Sequence, residues 1–348
     1  MTPVRLTLSL FSLFFFLTGC ADESQVRQKT FYAFGTQINI TLSGVSEQTA
    51  NGVIDELNTT FDEVNSHWHA WQPSVLTNIN AAIAQQKPIA ITPETAKVIT
   101  LAKQLAQQSH HLFNPAAGHL FALWGFHQDD WFQPRPPPKK QAIKHWLDSK
   151  PTMDAIHIQA GYLSSDNHMV KLGFGGFAKG YAIEQVIAVL TQYGIHHALV
   201  DIGGDLKTIG QRGERPWSVG IRHPRQDGLL ATLTTNHNES VFTSGDYERF
   251  FTYQQQRYPH ILDPNTGYPA RQTQSVTVLH PDPSVADAAA TALFVAGEQW
   301  PKIAVAMGIE SVLVVTSKGQ IEVSPALLPR LRLTDQAPAP IIRSLGTS

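Results

Sequence analysis

The sequence predicts an α+β fold, mixed sheets with flanking helices, on three observations. Strand-like apolar runs follow one another through the second half, at residues 198–202, 217–221, 241–251, 258–261 and 275–279. Segments with helical spacing of apolar residues fall at irregular intervals instead of between every pair of strands, which argues against a regularly alternating parallel sheet. No internal repeat is evident along the 348 residues, and 42% hydrophobic content is ample for a packed core in one large domain or two.

Taken in order, Arg5 gives a positive start and residues 6–17 are almost wholly apolar, too short for a comfortable membrane span. Leu17-Thr18-Gly19-Cys20 then resembles the lipobox of bacterial lipoproteins, in which cleavage leaves Cys20 as the lipidated first residue. The expected organisation is a signal peptide over 1–19, a polar tether over 20–29, a folded domain over 30–333 and a tail over 334–348 that has little to pack. Residues 30–42 alternate enough for one strand, and Val53, Ile54, Leu57, Phe61 and Val64 give 47–64 a helical period. Residues 92–109 read as a second amphipathic helix, with Pro93 suited to its first turn. Residues 129–138 are a surface loop or insertion, 141–147 a short helix, and 155–158 and 169–172 strands. A helix over 178–193 follows, then a long one over 284–306, and 311–315 with 320–323 read as a closing hairpin.

A net charge of −2 argues against nucleic acid as a partner. Cys20 is the only cysteine, so neither an intrachain disulfide nor a cysteine metal cluster is available. His67-x-His69 lacks a nearby third ligand and reads as ordinary packing or surface histidines before it reads as a metal pair.

The stretch Lys171-Leu172-Gly173-Phe174-Gly175-Gly176-Phe177-Ala178-Lys179-Gly180 has the chemistry of a phosphate cradle. Glycines at a strand-to-helix turn let backbone N–H groups approach an anion, the helix N-terminus favours it, and Lys179 adds a positive charge. The Walker pattern fails because Gly180 follows Lys179. The dinucleotide pattern Gly-x-Gly-x-x-Gly/Ala matches at Gly173, Gly175 and Ala178, with Asp201 somewhat late as a ribose-binding acid. A glycine-rich tight turn without a ligand stays open on these residues alone.

Three later segments carry polar residues of interest. Ser244, in residues 242–250, is not in a nucleophile elbow, so a serine hydrolase has little support. His260, just before the turn residues Asp263 to Gly267, is the histidine whose surroundings suggest general-base work. Asp287 and Thr291, four apart on one helix, offer oxygens that suit Mg²⁺. On these residues alone the favoured reading is structural, with Ser284-x-x-Asp287 as a capping box and Thr291 bonding back to the preceding turn.

Together these segments resemble the ApbE family, bacterial FAD:protein FMN transferases often made as lipoproteins. The likeness runs from about Phe31 to Glu322: Phe34-Gly35-Thr36, then Phe113-Asn114-Pro115-Ala116-Ala117-Gly118 with Leu123-Trp124-Gly125-Phe126, and the glycine stretch from Gly175 to Ala182. Ile202-Gly203-Gly204-Asp205, Thr243-Ser244-Gly245-Asp246-Tyr247, His260-Ile261-Leu262-Asp263-Pro264 and Asp287 through Thr291 complete it. The resemblance implies an ApbE-like, T-fold-related architecture and a reaction in which FAD is split at its pyrophosphate. FMN is esterified to a threonine of an exported acceptor flavoprotein subunit, AMP is released, and Mg²⁺ is the metal. It also implies that Asp287 and Thr291, with backbone oxygens near Gly176 and Ala290, hold the metal, and that His260 is the base for the acceptor threonine. Lys179, Phe34, Trp71, Ala117, Gly118, His119, Gly173 and Ile261 become the flavin-nucleotide contacts, with Lys179 also catalytic. Lipidated Cys20 would hold the protein at a bacterial membrane facing the periplasm.

Two residues depart from the family's pattern, Gly173 and Asn114, where Asp is common. Rival readings are an NAD-dependent oxidoreductase built on the glycine pattern, a flavin-binding lipoprotein that stores FAD, and a pyrophosphatase that splits FAD to FMN and AMP.

Overall fold

A computed structural model describes residues 26–346. Cys20 and the segment expected to be a signal peptide lie outside the described residues. The first strand is really a hairpin. Val26–Ala33 and Thr36–Ser43 pair antiparallel around Phe34 and Gly35, whose φ values of 55° and 70° make a two-residue turn. Two consecutive positive-φ residues reverse the chain where alternation alone suggested continuity, and the strand starts within the stretch assigned to the tether.

Among the described residues this hairpin begins a nine-stranded sheet. Its order continues through Ala198–Ile202, Asp205–Ile209, Asn238–Gly245, Thr273–His280, Ser311–Thr316, Ile321–Val323 and Ile341–Ile342. Neighbours are antiparallel except the last pair. Alternation along the strands explains the layers, because successive side chains face opposite sides. Phe242, Val276, Val278, Val312 and Val314 face a helical layer that includes Ala178–Gln192 and Pro283–Ala296. Val241, Leu279, Leu313 and Val315 face the small sheet made by Ser218–Arg222, Leu229–Thr234 and Leu331–Leu333. The two helices approach closely at Gly180, where a Cβ would fall 2.3 Å from the Pro283 carbonyl oxygen.

Several expected elements are subdivided. The long C-terminal helix breaks at Gly297 (φ 55°), leaving Pro283–Ala296, a 3-10 turn over Gly297–Gln299, and Trp300–Ala306. The 47–64 helix is Glu47–Gly52 followed by Ile54–Trp68. The strand over 241–251 divides into Asn238–Gly245 and Phe250–Tyr253. The strand expected over 169–172 shrinks to an isolated bridge between Lys171 and Ala117, while Tyr162–Ser165, unforeseen, pairs with Ile156–Gln159. The tail does pack: Ile341–Ile342 joins the sheet edge in parallel with Ile321–Val323.

Candidate active site

The glycine stretch is strapped to the 114–118 turn by backbone bonds, Gly118 N–H to Lys171 O at 2.8 Å and Gly173 N–H to Pro115 O at 2.9 Å. A Cβ on Gly118 would sit 2.5 Å from Lys171 O, so this close approach needs glycine. Asn114 shapes the turn from both ends of its amide. Its Oδ1 accepts from Ala116 N–H at 3.0 Å and its Nδ2 donates to Pro151 O at 2.9 Å, a donation that a carboxylate could not make. Gly173 leaves the wall open toward His127, whose Nε2 lies 3.9 Å from where a Cβ would be.

The strap forms one wall of a cavity. Gly173, Gly176, Lys179, Asp287, Ala290, Thr291, His260, Ile261, Ala117, Gly118 and Trp71 all line it. The structure thus gathers most of the residues the sequence singled out. Phe34 and His119 are outside this lining. Phe34 sits in the first hairpin turn, its ring 6.1 Å from that of Phe61, and His119 lies near Lys171 and His168.

Asp287 does not cap its helix. Asp282 does, accepting from Ser284 and Val285 N–H at 2.8 and 3.1 Å. This frees Asp287, whose Oδ2 accepts from Gly180 N–H at 3.0 Å. Nor does Thr291 need the back-bond that a structural role suggested, because its Oγ1 lies 3.4 Å from Ser244 Oγ. A Cβ on Gly176 would come 2.9 Å from Thr291 Oγ1, so glycine keeps that space clear.

Lys179 is less free than expected. Its ammonium is ion-paired with Asp205, whose other oxygen accepts from Thr243 N–H at 2.8 Å. Burial acts to lower its pKa, but Asp205, Glu248 and Asp287 outweigh it and the net shift is upward. Burial first, and then the mutual repulsion of these acids, raises the carboxyls of Glu248 and Asp287 despite Lys179. Three carboxylates around one ammonium form a pole that favours a cation. The donors suit Mg²⁺, which takes one or two carboxylates and completes its shell with phosphate and water. Among the described residues no group of three or more His, Cys, Asp or Glu is placed to hold a metal, and Asp287, Thr291, Gly176 and Ala290, the set named from the sequence, all line this cavity.

At His260 both the backbone N–H and Nδ1 reach Arg249 O, at 3.0 and 3.2 Å. A carbonyl only accepts, so Nδ1 carries the proton and Nε2 keeps its lone pair. Burial and then Arg249 lower the pKa to about 3, so the ring is neutral at working pH. Trp71 stands at an exposed corner, where its indole N–H donates to Asp129 at 3.1 Å and its ring meets His127 edge-on at 5.5 Å.

Glu248, Arg249, Asp205, Ser244 and His127 line the cavity without having been assigned roles from the sequence. The first four lay inside quoted motifs, but nothing in their spacing showed which way they point. His127 follows the Trp124-Gly125-Phe126 knot with no signal of its own. The His67–His69 pair is otherwise engaged: His67 Nδ1 bonds Glu63 O at 2.8 Å, and His69 Nδ1 accepts from Trp71 and Gln72 N–H at 3.3 and 3.0 Å. The dinucleotide-fold reading is overturned, because the sheet is antiparallel around Asp201, whose side chain accepts from Gly204 N–H at 2.8 Å within its own hairpin.

The model of the ApbE family matches residues 34–313. An FAD:protein FMN transferase of Rhodobacter capsulatus is 38% identical over 315 residues, covering 90% of this chain and 60% of that protein, so the chain spans about three fifths of this relative's length. One from Treponema pallidum (strain Nichols) is 31% identical over 284 residues, 75% of this chain and 76% of the relative. Among solved structures, the ApbE protein of Thermotoga maritima aligns with a TM-score of 0.79 at 29% identity, covering 88% of this chain and 99% of its own. The flavin transferase ApbE from Vibrio cholerae aligns at 0.77 and 26% identity, with the same coverage.

Proposed function

The chain belongs to the ApbE family, and from that premise we propose that it transfers the FMN moiety of FAD to a threonine hydroxyl of exported acceptor flavoproteins, with Mg²⁺ as the metal and AMP released. One observation carries the reading. A neutral imidazole with a free Nε2 and an acid-rich pole around Asp287 line the same cavity.

The acceptor oxygen attacks the phosphorus of the FMN half, and the bond from that phosphorus to the oxygen of the AMP phosphate breaks. AMP takes the electron pair, and the hydroxyl proton passes to His260 Nε2. Being neutral, His260 needs no prior deprotonation, and an anionic pyrophosphate beside it favours the imidazolium that forms. Mg²⁺ held by Asp287 and Thr291 would neutralise pyrophosphate charge and stabilise the departing AMP. With Lys179 already paired to Asp205, its charge is not free to draw in pyrophosphate, and a cation beside Asp287 would supply that charge, which ties FAD binding to the metal. Leu17 to Cys20 supports export and lipid attachment at the periplasmic face of a bacterial membrane, and among the described residues no helix is long and apolar enough to cross one.

The test uses protein lacking residues 1–20, FAD, Mg²⁺ and an exported flavoprotein subunit bearing a candidate threonine, with the acceptor weighed by mass spectrometry. An FMN adduct that disappears with chelator, and falls at least ~100-fold in rate with Asp287→Ala, is the expected outcome. FMN and AMP without an adduct would make the protein a pyrophosphatase, and unchanged bound FAD would make it a storage protein.

A further inference from the structure

Among the described residues the strands Phe250–Tyr253 and Gln256–Pro259 pair only with each other, forming a two-stranded hairpin outside the large sheet. Its ends adjoin the cavity, with Arg249 before it and His260 after it, both lining residues. Three guanidinium groups surround this hairpin. Arg257 lies 3.8 Å over the Phe250 ring, and Arg271 lies 5.9 Å from the Tyr258 ring centre. Arg271 also meets the Gln256 amide oxygen at 2.5 and 2.7 Å when that amide is turned to satisfy its neighbours. Arg249 is the third.

None of the three has a carboxylate within salt-bridge distance among the described residues; Arg212, Arg215, Arg222 and Arg332 also have none, but Arg249, Arg257 and Arg271 are the ones gathered at this hairpin, whereas Arg27, Arg135, Arg225, Arg330 and Arg343 are paired. The nearby acids are committed elsewhere. Asp246 is held by Arg225, Glu248 lines the cavity, and Asp263 accepts from Asn265 N–H and Thr266 Oγ1 at 2.9 and 3.1 Å in its own turn. In a chain of net charge −2 this is a local positive rim beside His260, and the hairpin strands bring unpaired backbone edges with it. Such an edge takes an extended segment by strand addition, and unpaired guanidiniums favour carboxylates over any other protein side chain.

We infer that the Phe250–Pro259 hairpin, with Arg257 and Arg271, is the docking surface for the acceptor protein, and that it selects an extended segment with acidic residues flanking the target threonine. This rests on the transferase reading. It adds the class of partner and the direction from which the hydroxyl reaches His260. Rim charges of this kind set encounter and selectivity, so their signature is a preference that salt weakens.

The probes are short fluorescent peptides carrying one threonine with acidic, neutral or lysine flanks, added to the protein with FAD and Mg²⁺. Binding is read by anisotropy, transfer by mass, and FAD affinity separately by flavin fluorescence. The wild type should bind the acidic peptide about tenfold tighter than the neutral one at low salt, with the gap closing as salt rises. The double variant Arg257→Glu, Arg271→Glu should prefer the lysine-flanked peptide while binding FAD as before. Equal binding of all three peptides by the wild type, or an unchanged order in the double variant, overturns the proposal. Absent FAD binding would defeat the transferase reading instead, and anisotropy would still score the surface on its own.

Discussion

At the scale of single residues, the site depends on a contrast between two half-buried imidazoles. His260 spends its Nδ1 proton on the Arg249 carbonyl and offers Nε2 to the cavity, while His127 Nδ1 is buried with no hydrogen-bond partner. His260→Gln keeps a polar group of similar reach but cannot accept and release a proton, so transfer should fall roughly 100- to 10,000-fold with FAD affinity nearly unchanged. Stopped assays for kcat and a fluorescence titration for FAD would separate the two effects, and an equal loss of FAD binding would count against the base role. His127 has a stability consequence. Burial, then the charges of Lys171, His119 and His69, lower its pKa from 6.5 to about 4. Between those values the unfolded chain binds a proton at this position that the folded chain refuses, so stability is fully present above 6.5 and declines toward 4. Thermal melts from pH 7 to pH 4 should therefore show a drop in Tm that His127→Phe makes shallower. The sequence marked His260 by the turn that follows it. His127 carried no such mark, since how far an imidazole is withdrawn from water depends on neighbours such as Trp71, which only the fold brings beside it.

At the scale of elements, the end of the Asn238–Gly245 strand supplies Ser244 to the cavity, the turn that leads to Phe250–Tyr253 supplies Glu248 and Arg249, and the Arg249 carbonyl fixes His260. A loop of the small sheet clamps this turn from outside. Arg225 makes a two-pronged pair with Asp246 at 2.7 and 2.6 Å, and Arg222 lies 5.5 Å from the Tyr247 ring centre. The loop itself is organised by His223, whose Nδ1 accepts from Arg225 and Gln226 N–H at 3.0 Å each. Arg225→Met should cost only about 1 kcal/mol of stability, because the guanidinium is partly exposed, yet lower kcat several-fold as the turn loosens. Exchanging the charges, Arg225→Asp with Asp246→Arg, should recover part of the rate that either single change loses. Failure to recover would place the effect in Asp246 alone. A strand over 241–251 was legible from β-propensity, but the break at Gly245 was not. Propensity reads the strand content on both sides, while the turn between them is held by contacts from elsewhere in the fold, Asp246 to Arg225 and Asp246 N–H to Gln274 O.

At the scale of the whole molecule, the order of motifs was enough to foresee most of the residues that line one chamber, because glycine approaches and acid–hydroxyl spacings are local requirements written in contiguous residues. The ends of the fold were less legible. The tail from Thr334 is polar and proline-bearing, yet Ile341 pairs with Glu322 and Ile342 with Val323 at the far edge of the sheet. What holds the tail there is a buried acid. Glu322 is 7% exposed, accepts from Trp300 Nε1 at 2.7 Å, and meets Arg343 at 3.1 Å, while Arg343 N–H bonds Val323 O at 2.9 Å. No propensity scale values a two-residue strand whose stability comes from neutralising a carboxylate on its neighbour. Ending the chain at Leu333 removes the strand and leaves the Glu322 charge buried with a single neutral donor, a loss of about 1–3 kcal/mol. Chemical unfolding should register it, while FMN transfer at low temperature stays close to that of the full chain, since the chamber is on the helical face of the central strands. Adding Glu322→Gln to the shortened protein separates the causes. The amide still accepts from Trp300 but carries no charge, so most of the lost stability should return if the unpaired carboxylate is the cost. If the loss persists, the strand's own backbone bonds and the cover provided by Ile341 and Ile342 are what the tail contributes.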